Sequence, residues 1–305
     1  MGMKGFKGFE KDFSCGGKQY EENTTYEEHG VVCCHKGVMH FCEDPWEVLN
    51  HYDLVDENGN FSEFAEVEAL GQVWNDGEKR ATNKIHIGAK LGLKGFLKAC
   101  IDFTLEKTKY ESNGTNLSGD YAKIGSSGYS AQIGSSGDSA QIGSSGYSAQ
   151  IGSSGDYAKI GSSGDYAKIG SSGDYAQIGS SGYSAQIGSS GDYAKIGSSG
   201  YSAQIGSSGY YAKIGSSGNS AQIGSSGDSA QINSTGEDAV IMCAGRKSKA
   251  KGKKGSWITL AEWVKDEEKG RYVPICVKTE RVDGEKIKED TYYTLNNGEF
   301  SGVEE

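Results

Sequence analysis

The sequence predicts a mainly β protein: a parallel β-solenoid with two nine-residue repeats per 18-residue coil, an α+β N-terminal domain and a small β C-terminal cap. Three observations predict it. From Asp120 onward, five variable residues followed by Gly-Ser-Ser-Gly recur, with isoleucine at every ninth position from Ile124 to Ile241. Alanine stands two residues before each of these isoleucines, Ala122 to Ala239, which is the spacing of a strand with one buried face. Glycine, at 47 of 305 residues against 2 prolines, is far above ordinary usage, as a repeat built on tight turns requires.

Nine residues make one short strand and one turn, which returns the chain only halfway, so two repeats are expected to close each coil. A single unit cannot bury its apolar side, so coils must stack. Alternate repeats differ in character: Asp opens six of seven units in one set, as in DYAKI, and one of seven in the other, where YSAQI dominates. Two unlike faces follow. Seven coils at the usual inter-strand spacing predict a rod of roughly 34 Å with a narrow interior of Ala and Ile.

One face is expected to carry Tyr157, Lys159, Tyr175, Tyr193 and Lys195, and the opposite face Ser130, Gln132, Ser148, Gln150, Ser184, Gln186, Ser202 and Gln204. The tyrosines and lysines, with Gln132, Gln150, Gln186 and Gln204, are the candidate ligand-binding residues. Their regular spacing suits a repetitive ligand such as a glycan, a protein partner, or another copy of the chain; stacked identical side chains can also hydrogen-bond along the rod. Gly-Ser-Ser-Gly is expected to form the corners, with glycine supplying positive φ. The period is similar to that of calcium-binding β-rolls, whose units read GGxGxD. Here Gly125-Ser126-Ser127-Gly128 breaks that pattern and Tyr or Ser holds the aspartate position, so calcium is not expected in the turns. Regular threonine pairs, which an ice-binding face would need, are absent from the repeats.

The expected organisation is an α+β head over 1–110, the solenoid over 111–245 and a β-rich cap over 246–305. Open sheet edges at the ends of a solenoid invite pairing unless covered. At the entrance, Glu111 to Gly119 resembles a decayed repeat; at the exit, Asn233-Ser234-Thr235-Gly236 and Met242-Cys243-Ala244-Gly245 are decayed corners. Arg246, Lys247, Lys249, Lys251, Lys253 and Lys254 read as a charged edge that discourages pairing, with a nucleic-acid patch as the alternative. Strands are expected at Ser256–Trp263, Tyr272–Val277 and Thr291–Leu295, with a hairpin turn at Asp283-Gly284 leading through Lys286-Ile287-Lys288.

In the head, strand candidates are Gln19–Glu22, Val31–His35, Val38–Cys42, Glu63–Leu70 and Asn83–Ile87. Helices are expected at Trp46–Tyr52, capped by Asp44 with Pro45 in the first turn, and at Leu93–Phe103. If Lys36-Gly37 turns a hairpin, Cys33, His35, His40 and Cys42 would share one face, a donor set suited to tetrahedral zinc. The spacing matches no familiar zinc module, and buried thiols with ordinary histidines are the default, so no metal and no cofactor are assigned. The seven cysteines lack the spacing of a disulfide scaffold and read as reduced thiols.

The stretch Cys33 to Cys42, with the lead-in Lys4-Gly5-Phe6-Lys7-Gly8-Phe9 and the following Glu43-Asp44-Pro45-Trp46, resembles an uncharacterised domain family of gut-bacterial and phage proteins. The resemblance covers roughly the first hundred residues. Members are often followed by glycine-serine repeats like these, which implies a phage or prophage origin but no activity. A fainter likeness is to ADP-ribosyltransferases: Gly37-Val38-Met39-His40-Phe41-Cys42 precedes the Trp46 helix, with Glu66 or Glu68 as the carboxylate, although no Arg or His motif for NAD precedes it.

Net charge is −10 overall, which argues against general nucleic-acid binding and against anionic membranes. The first residues lack the apolar stretch of a secretory signal, Met1-Gly2 reads as an addition before a natural start at Met3, and no run is long and apolar enough to span a bilayer. A cytoplasmic location in a bacterial host is expected, with virion association as the alternative. No Ser/His/Asp set, phosphate loop or paired-carboxylate motif stands out. The expected function is therefore a non-enzymatic structural or ligand-binding rod. The alternative is an ADP-ribosyltransferase-like enzyme in the head, with the solenoid as spacer.

Overall fold

The computed structural model describes residues 2–29, 37–108 and 119–303. Its centre is a parallel β-solenoid of about 8 turns of 18 residues. Each repeat gives one four-residue strand, and successive strands alternate between two sheets: Lys159–Ser162 lies in one, Lys168–Ser171 in the other, Gln177–Ser180 again in the first. Register is exact in sequence terms. Ile124 pairs with Ile142 and Ile142 with Ile160, while on the second sheet Ile133 pairs with Ile151. Isoleucines from both sheets and alanines such as Ala158, Ala176 and Ala203 form one continuous core.

Within each strand Gln or Lys points out, Ile in, Gly out and Ser in, as the exposed-buried-exposed-buried pattern of Gln186–Ser189 records. The inward hydroxyls of Ser162, Ser180 and Ser198 are fully buried and have no partner among the described residues. Coil spacing of about 4.8 Å holds successive hydroxyls beyond bonding distance of one another.

The corners correct the expectation about glycine. Positive φ falls on the second variable residue of every repeat from Ser139 onward and not on the flanking glycines: Tyr157, Tyr166, Tyr175 and Tyr193 each have φ of 56°, and Ser148 has 59°. A non-glycine residue in this region costs roughly 1 kcal/mol, which repeated stacking must offset. Part of the offset is visible, since Tyr157 N–H donates to Asp174 O at 2.8 Å and Tyr175 N–H to Asp192 O at 2.8 Å, one coil on. The corner glycine answers a different need. A Cβ added at Gly182 would lie 2.0 Å from the carbonyl oxygen of Gly164, the equivalent residue one coil earlier.

Aspartates knit the same corners. Asp138 Oδ1 accepts from Asp156 N–H at 2.9 Å, Asp156 Oδ1 from Asp174 N–H at 2.8 Å, and Asp174 Oδ1 from Asp192 N–H at 2.7 Å. Asn219 does the same for Glu237 N–H at 3.0 Å, so the bond needs an acceptor but not a charge. Asp156→Ala is therefore expected to lower stability by about 1 kcal/mol, whereas Asp156→Asn should be neutral or stabilising, more so at low salt where repulsion along the carboxylate row is least screened. Thermal melts of both variants at two ionic strengths check this; equal losses for Asn and Ala would refute it.

The solenoid runs past residue 245. Lys249–Lys251 pairs parallel with Gln231–Ser234, and Trp257–Asp266 with Val240–Cys243, so the basic stretch forms an eighth turn and not a free edge. Arg246 pairs with Asp228 at 2.8 Å, Lys253 with Glu289 at 3.2 Å, and Lys249 and Lys251 both lie 4.5 Å from the ring centre of Tyr292. Each sheet ends in an antiparallel hairpin. Trp257–Asp266 with Arg271–Arg281 closes one, and Tyr292–Asn296 with Glu299–Val303 the other. The bend at Asp283 is held by its Oδ1, which accepts from Glu285, Lys286 and Ile287 N–H, and Lys286-Ile287-Lys288 leads from it toward Tyr292–Asn296.

The head is α+β. Its four-stranded antiparallel sheet runs Met3–Phe9, Glu63–Ala69, Lys84–Lys90, Thr24–Glu27, and a three-stranded sheet runs Met39–Phe41, Lys79–Thr82, Val73–Asp76. Helix α1 (Pro45–Val48) starts as expected, with Asp44 Oδ1 accepting from Trp46 N–H at 2.9 Å; helix α2 spans Gly92–Lys107. The candidate strand Val31–His35 lies outside the described residues. No helix is long and apolar enough to cross a membrane among the described residues.

Candidate functional site

The head does not sit on the end of the rod. It lies along one wall of the solenoid, and the glycine that points outward from each strand of that wall is where it seats. Added Cβ atoms would meet Ile101 and Thr104 at Gly143, Trp46 and Leu97 at Gly161, Leu97 at Gly179, and Leu54 and Phe61 at Gly197. A column of glycines is thus a trough, and the head fills it with an apolar ridge.

Beside the trough runs the Lys and Gln row of the same wall, and it reads the head step by step. Lys123 Nζ meets Asp44 at 2.5 Å, Gln141 Nε2 donates to Glu47 at 3.1 Å, and Lys159 Nζ donates to Trp46 O at 2.9 Å and Asn50 Oδ1 at 2.6 Å. Gln177 Nε2 donates to Leu49 O and its Oε1 accepts from Leu54 N–H, both at 3.0 Å; Lys195 pairs with Asp53 and Lys213 with Glu57. Burial lowers the Lys159 pKa, against the pull of Glu47, Asp44 and Glu78; burial also raises Glu47.

The sequence-predicted site is therefore split three ways. Lys159 and Lys195 face the head and are not on a free surface: Lys159 is only 6% exposed. Tyr157, Tyr175 and Tyr193 stand on a corner and not on a face, stacked at ring-centre distances of 5.0 and 4.9 Å with planes within 5°. Ser130, Ser148, Ser184 and Ser202 are also corner residues, so no Ser/Gln face exists. Gln132, Gln150, Gln186 and Gln204 do share an exposed wall, together with Lys168 and Gln222. Among the described residues no hydrogen bond joins these glutamines to one another; the ladder is a row of amides with free valence.

That open wall has the architecture of the covered one. Gly152, Gly170, Gly188, Gly206 and Gly224 form its trough, and a Cβ added at any of them would meet nothing within 4 Å. The groove has a volume of about 1200 Å³ and ends against Val240 and Met242. The missed features were these glycines and the register of the acidic and apolar residues Asp44 to Phe61. A signal existed: Lys is concentrated in the alternate repeats that face the head, while Lys168 is the one lysine on the open wall among the nonapeptides.

The head holds a second cluster. A cavity of about 480 Å³ is lined by Lys7, Cys15, His40, His51 and Tyr52, and Cys15 Sγ accepts from Lys7 Nζ at 3.1 Å and from Tyr52 Oη at 2.9 Å. Burial lowers His40 and His51 and raises Tyr52. Glu66 and Glu68 line a different cavity with Lys4 and His86, so His40 and these glutamates are not brought together. Of the candidate zinc ligands, Cys33 and His35 lie outside the described residues, and His40 is 3.3 Å from Asp76. Burial pushes the Cys42 and Cys243 thiols up to about 12, leaving both as inert core residues.

The fold and the two walls define a β-solenoid rod with a laterally docked α+β head. Residues 3–99 match the family model of a domain of unknown function, DUF7666. No curated protein and no solved structure matches the chain.

Proposed function

We infer that the chain is a non-enzymatic binding rod, in which the head stiffens and seals one wall of the solenoid and leaves the other as the interaction surface. The observation that carries this reading is the unoccupied trough of Gly152 to Gly224, equivalent in pattern to the one the head fills. Glycine inside a strand is unfavourable by about 0.5–1 kcal/mol, and it commonly marks close approach of a ligand or another backbone. Among the described residues no contact calls for glycine at these five positions. The same column holds Met242 two residues after Val240, so the position accepts a large side chain. The phage or prophage origin implied by the head's resemblance fits a rigid rod of fixed length and belongs to the same reading.

The test compares wild type with Gly188→Gln/Gly206→Gln, which fills the trough without an internal clash. Binding to insoluble peptidoglycan and chitin is measured by co-sedimentation, and self-association by analytical ultracentrifugation. Loss of at least one of these in the variant, with an unchanged melting temperature, is expected. Identical behaviour of the two proteins in all three assays sinks the reading.

A further inference from the structure

We propose that the open wall is closed by the same wall of a second copy, the two rods lying side by side and parallel about a two-fold axis that runs along the rod. This rests on the reading of that wall as an interaction surface. A two-fold along the rod exchanges the two columns: the row of Gln132, Gln150, Gln186 and Gln204 in one copy falls over the glycine trough of the other, and the reverse. Each amide becomes a knob above a position with no Cβ, which is the relation the head's side chains hold to the glycines of the covered wall.

Three observations favour a second copy over an unrelated partner. Spacing is the first: a trough that repeats at about 4.8 Å is matched along its whole length by a ladder of the same rise, and the chain carries one beside it. Charge is the second. In a chain of net charge −10, this wall carries one charged side chain over its seven nonapeptide strands, Lys168, so two copies meet there with little repulsion and little charge to desolvate. The third is the exposed apolar end of the same sheet, where Val240 is 51%, Met242 52%, Trp257 47% and Val277 62% exposed. Trp257 pairs with Val240 and Thr259 with Met242, so this patch continues the wall onto the terminal hairpin. Parallel rods bring the two patches together; antiparallel rods would set each against the polar entrance at Gln132.

A contact four residues wide across the nine strands of this sheet covers about 500 Å² per copy, or about 1,000 Å² in total, the low end of specific interfaces, which points to a dissociation constant in the micromolar range. The head lies on the opposite wall and does not obstruct the contact.

The experiment is sedimentation velocity of the full chain from 1 to 200 µM. Wild type is expected to shift from monomer to dimer across this range, and Gly188→Gln/Gly206→Gln to dissociate at least tenfold more readily while melting at the wild-type temperature. Orientation is read with Gln132→Cys/Gly134→Cys, which in parallel rods at zero offset places each new thiol beside its partner's other one and gives a disulfide-linked dimer on oxidation. The same oxidation of wild type, whose cysteines include half-buried Cys15 and Cys276, is the control. A wild type that stays monomeric at 200 µM, or a dimer unaffected by the trough-filling pair, overturns the proposal. If wild type is monomeric yet the pair abolishes binding to peptidoglycan or chitin, the second copy is excluded and the wall stands as an interaction surface. If neither measurement responds to the pair, both readings fall.

Discussion

Gly182→Ala should unfold or locally unzip the solenoid, with a loss of about 3–5 kcal/mol, while Gly188→Ala six residues away should be within about 0.5 kcal/mol of wild type or slightly stabilising. The two glycines belong to the same repeat motif and differ only in where their missing side chain would point. At Gly182 the added methyl would stand 2.0 Å from Gly164 O and 2.5 Å from Gly164 C, both backbone atoms of the coil below. Neither can move without displacing a coil that is itself locked to its neighbours by Ser163 N–H donating to Ser144 O at 3.0 Å and Tyr166 N–H donating to Tyr183 O at 2.8 Å. Relief would demand that coils separate, which parts Ile160 from Ile178 and Ile169 from Ile187 and breaks the ladder on both sheets. At Gly188 the methyl points into the open trough and meets nothing. Urea melts followed by circular dichroism separate the two, and a Gly182→Ala protein as stable as Gly188→Ala would show that the coils are not stacked as described.

That contrast also marks where sequence reading succeeds and where it stops. The period, the inward Ala and Ile, and the two-repeat coil were all legible, because burial of a narrow core imposes strict spacing on the residues that form it. Ile124 over Ile142 follows from the nonapeptide alone. The role of each glycine was not legible, since one letter covers two different demands: close backbone approach at Gly182, and an absent side chain at Gly188. Glycine's intrinsic permissiveness predicts left-handed backbone at glycine, yet Tyr157 and Ser148 carry it, because coil-to-coil hydrogen bonds override local preference at these corners. In the head, Met3–Phe9 was invisible as a strand. Its Lys and Gly residues lack β propensity, but Gly5 and Gly8 are the points where Cys42 O and the Tyr52 ring cross it.

The expectation that Tyr and Lys share one face fails for a related reason. Tyr and Lys alternate in DYAKI at strand spacing, but Tyr stands before the strand begins, on the corner, so the two never share a face. Lysine enrichment in alternate repeats was visible. Its cause, the row from Asp44 to Glu57 laid alongside, requires knowing that a segment 79 to 156 residues away docks sideways, and nothing local to the repeat encodes that.

Lys159→Ala is the second large expected effect: a loss of about 2–4 kcal/mol and loosening of the head, against a change within about 0.5 kcal/mol for Lys168→Ala on the open wall. Both lysines occupy the same position of the repeat, nine residues apart. Lys159 Nζ is the hydrogen-bond donor for Trp46 O and Asn50 Oδ1, and its charge faces Glu47 and Asp44. Removing it leaves the buried Trp46 carbonyl and the Asn50 amide oxygen without this donor and Glu47 without its nearby cation, while Asp44 keeps Lys123; this is the situation in which deletion costs more than the bond contributed. Lys159→Met separates the amino group from packing, because it keeps the stem; a loss as large as that of Ala assigns the effect to the amino group and its hydrogen bonds. The pH dependence has a definite sign. Burial lowers the Lys159 pKa below its ordinary 10.5, so the folded protein holds fewer protons there than the unfolded chain, and the added stability is present above 10.5 and lost as pH falls through the folded value. The stability gap between wild type and Lys159→Met should accordingly widen from neutral pH toward 10. A gap that is flat, together with a neutral Lys159→Ala, would mean that this lysine is solvated and that the head does not lie on the wall.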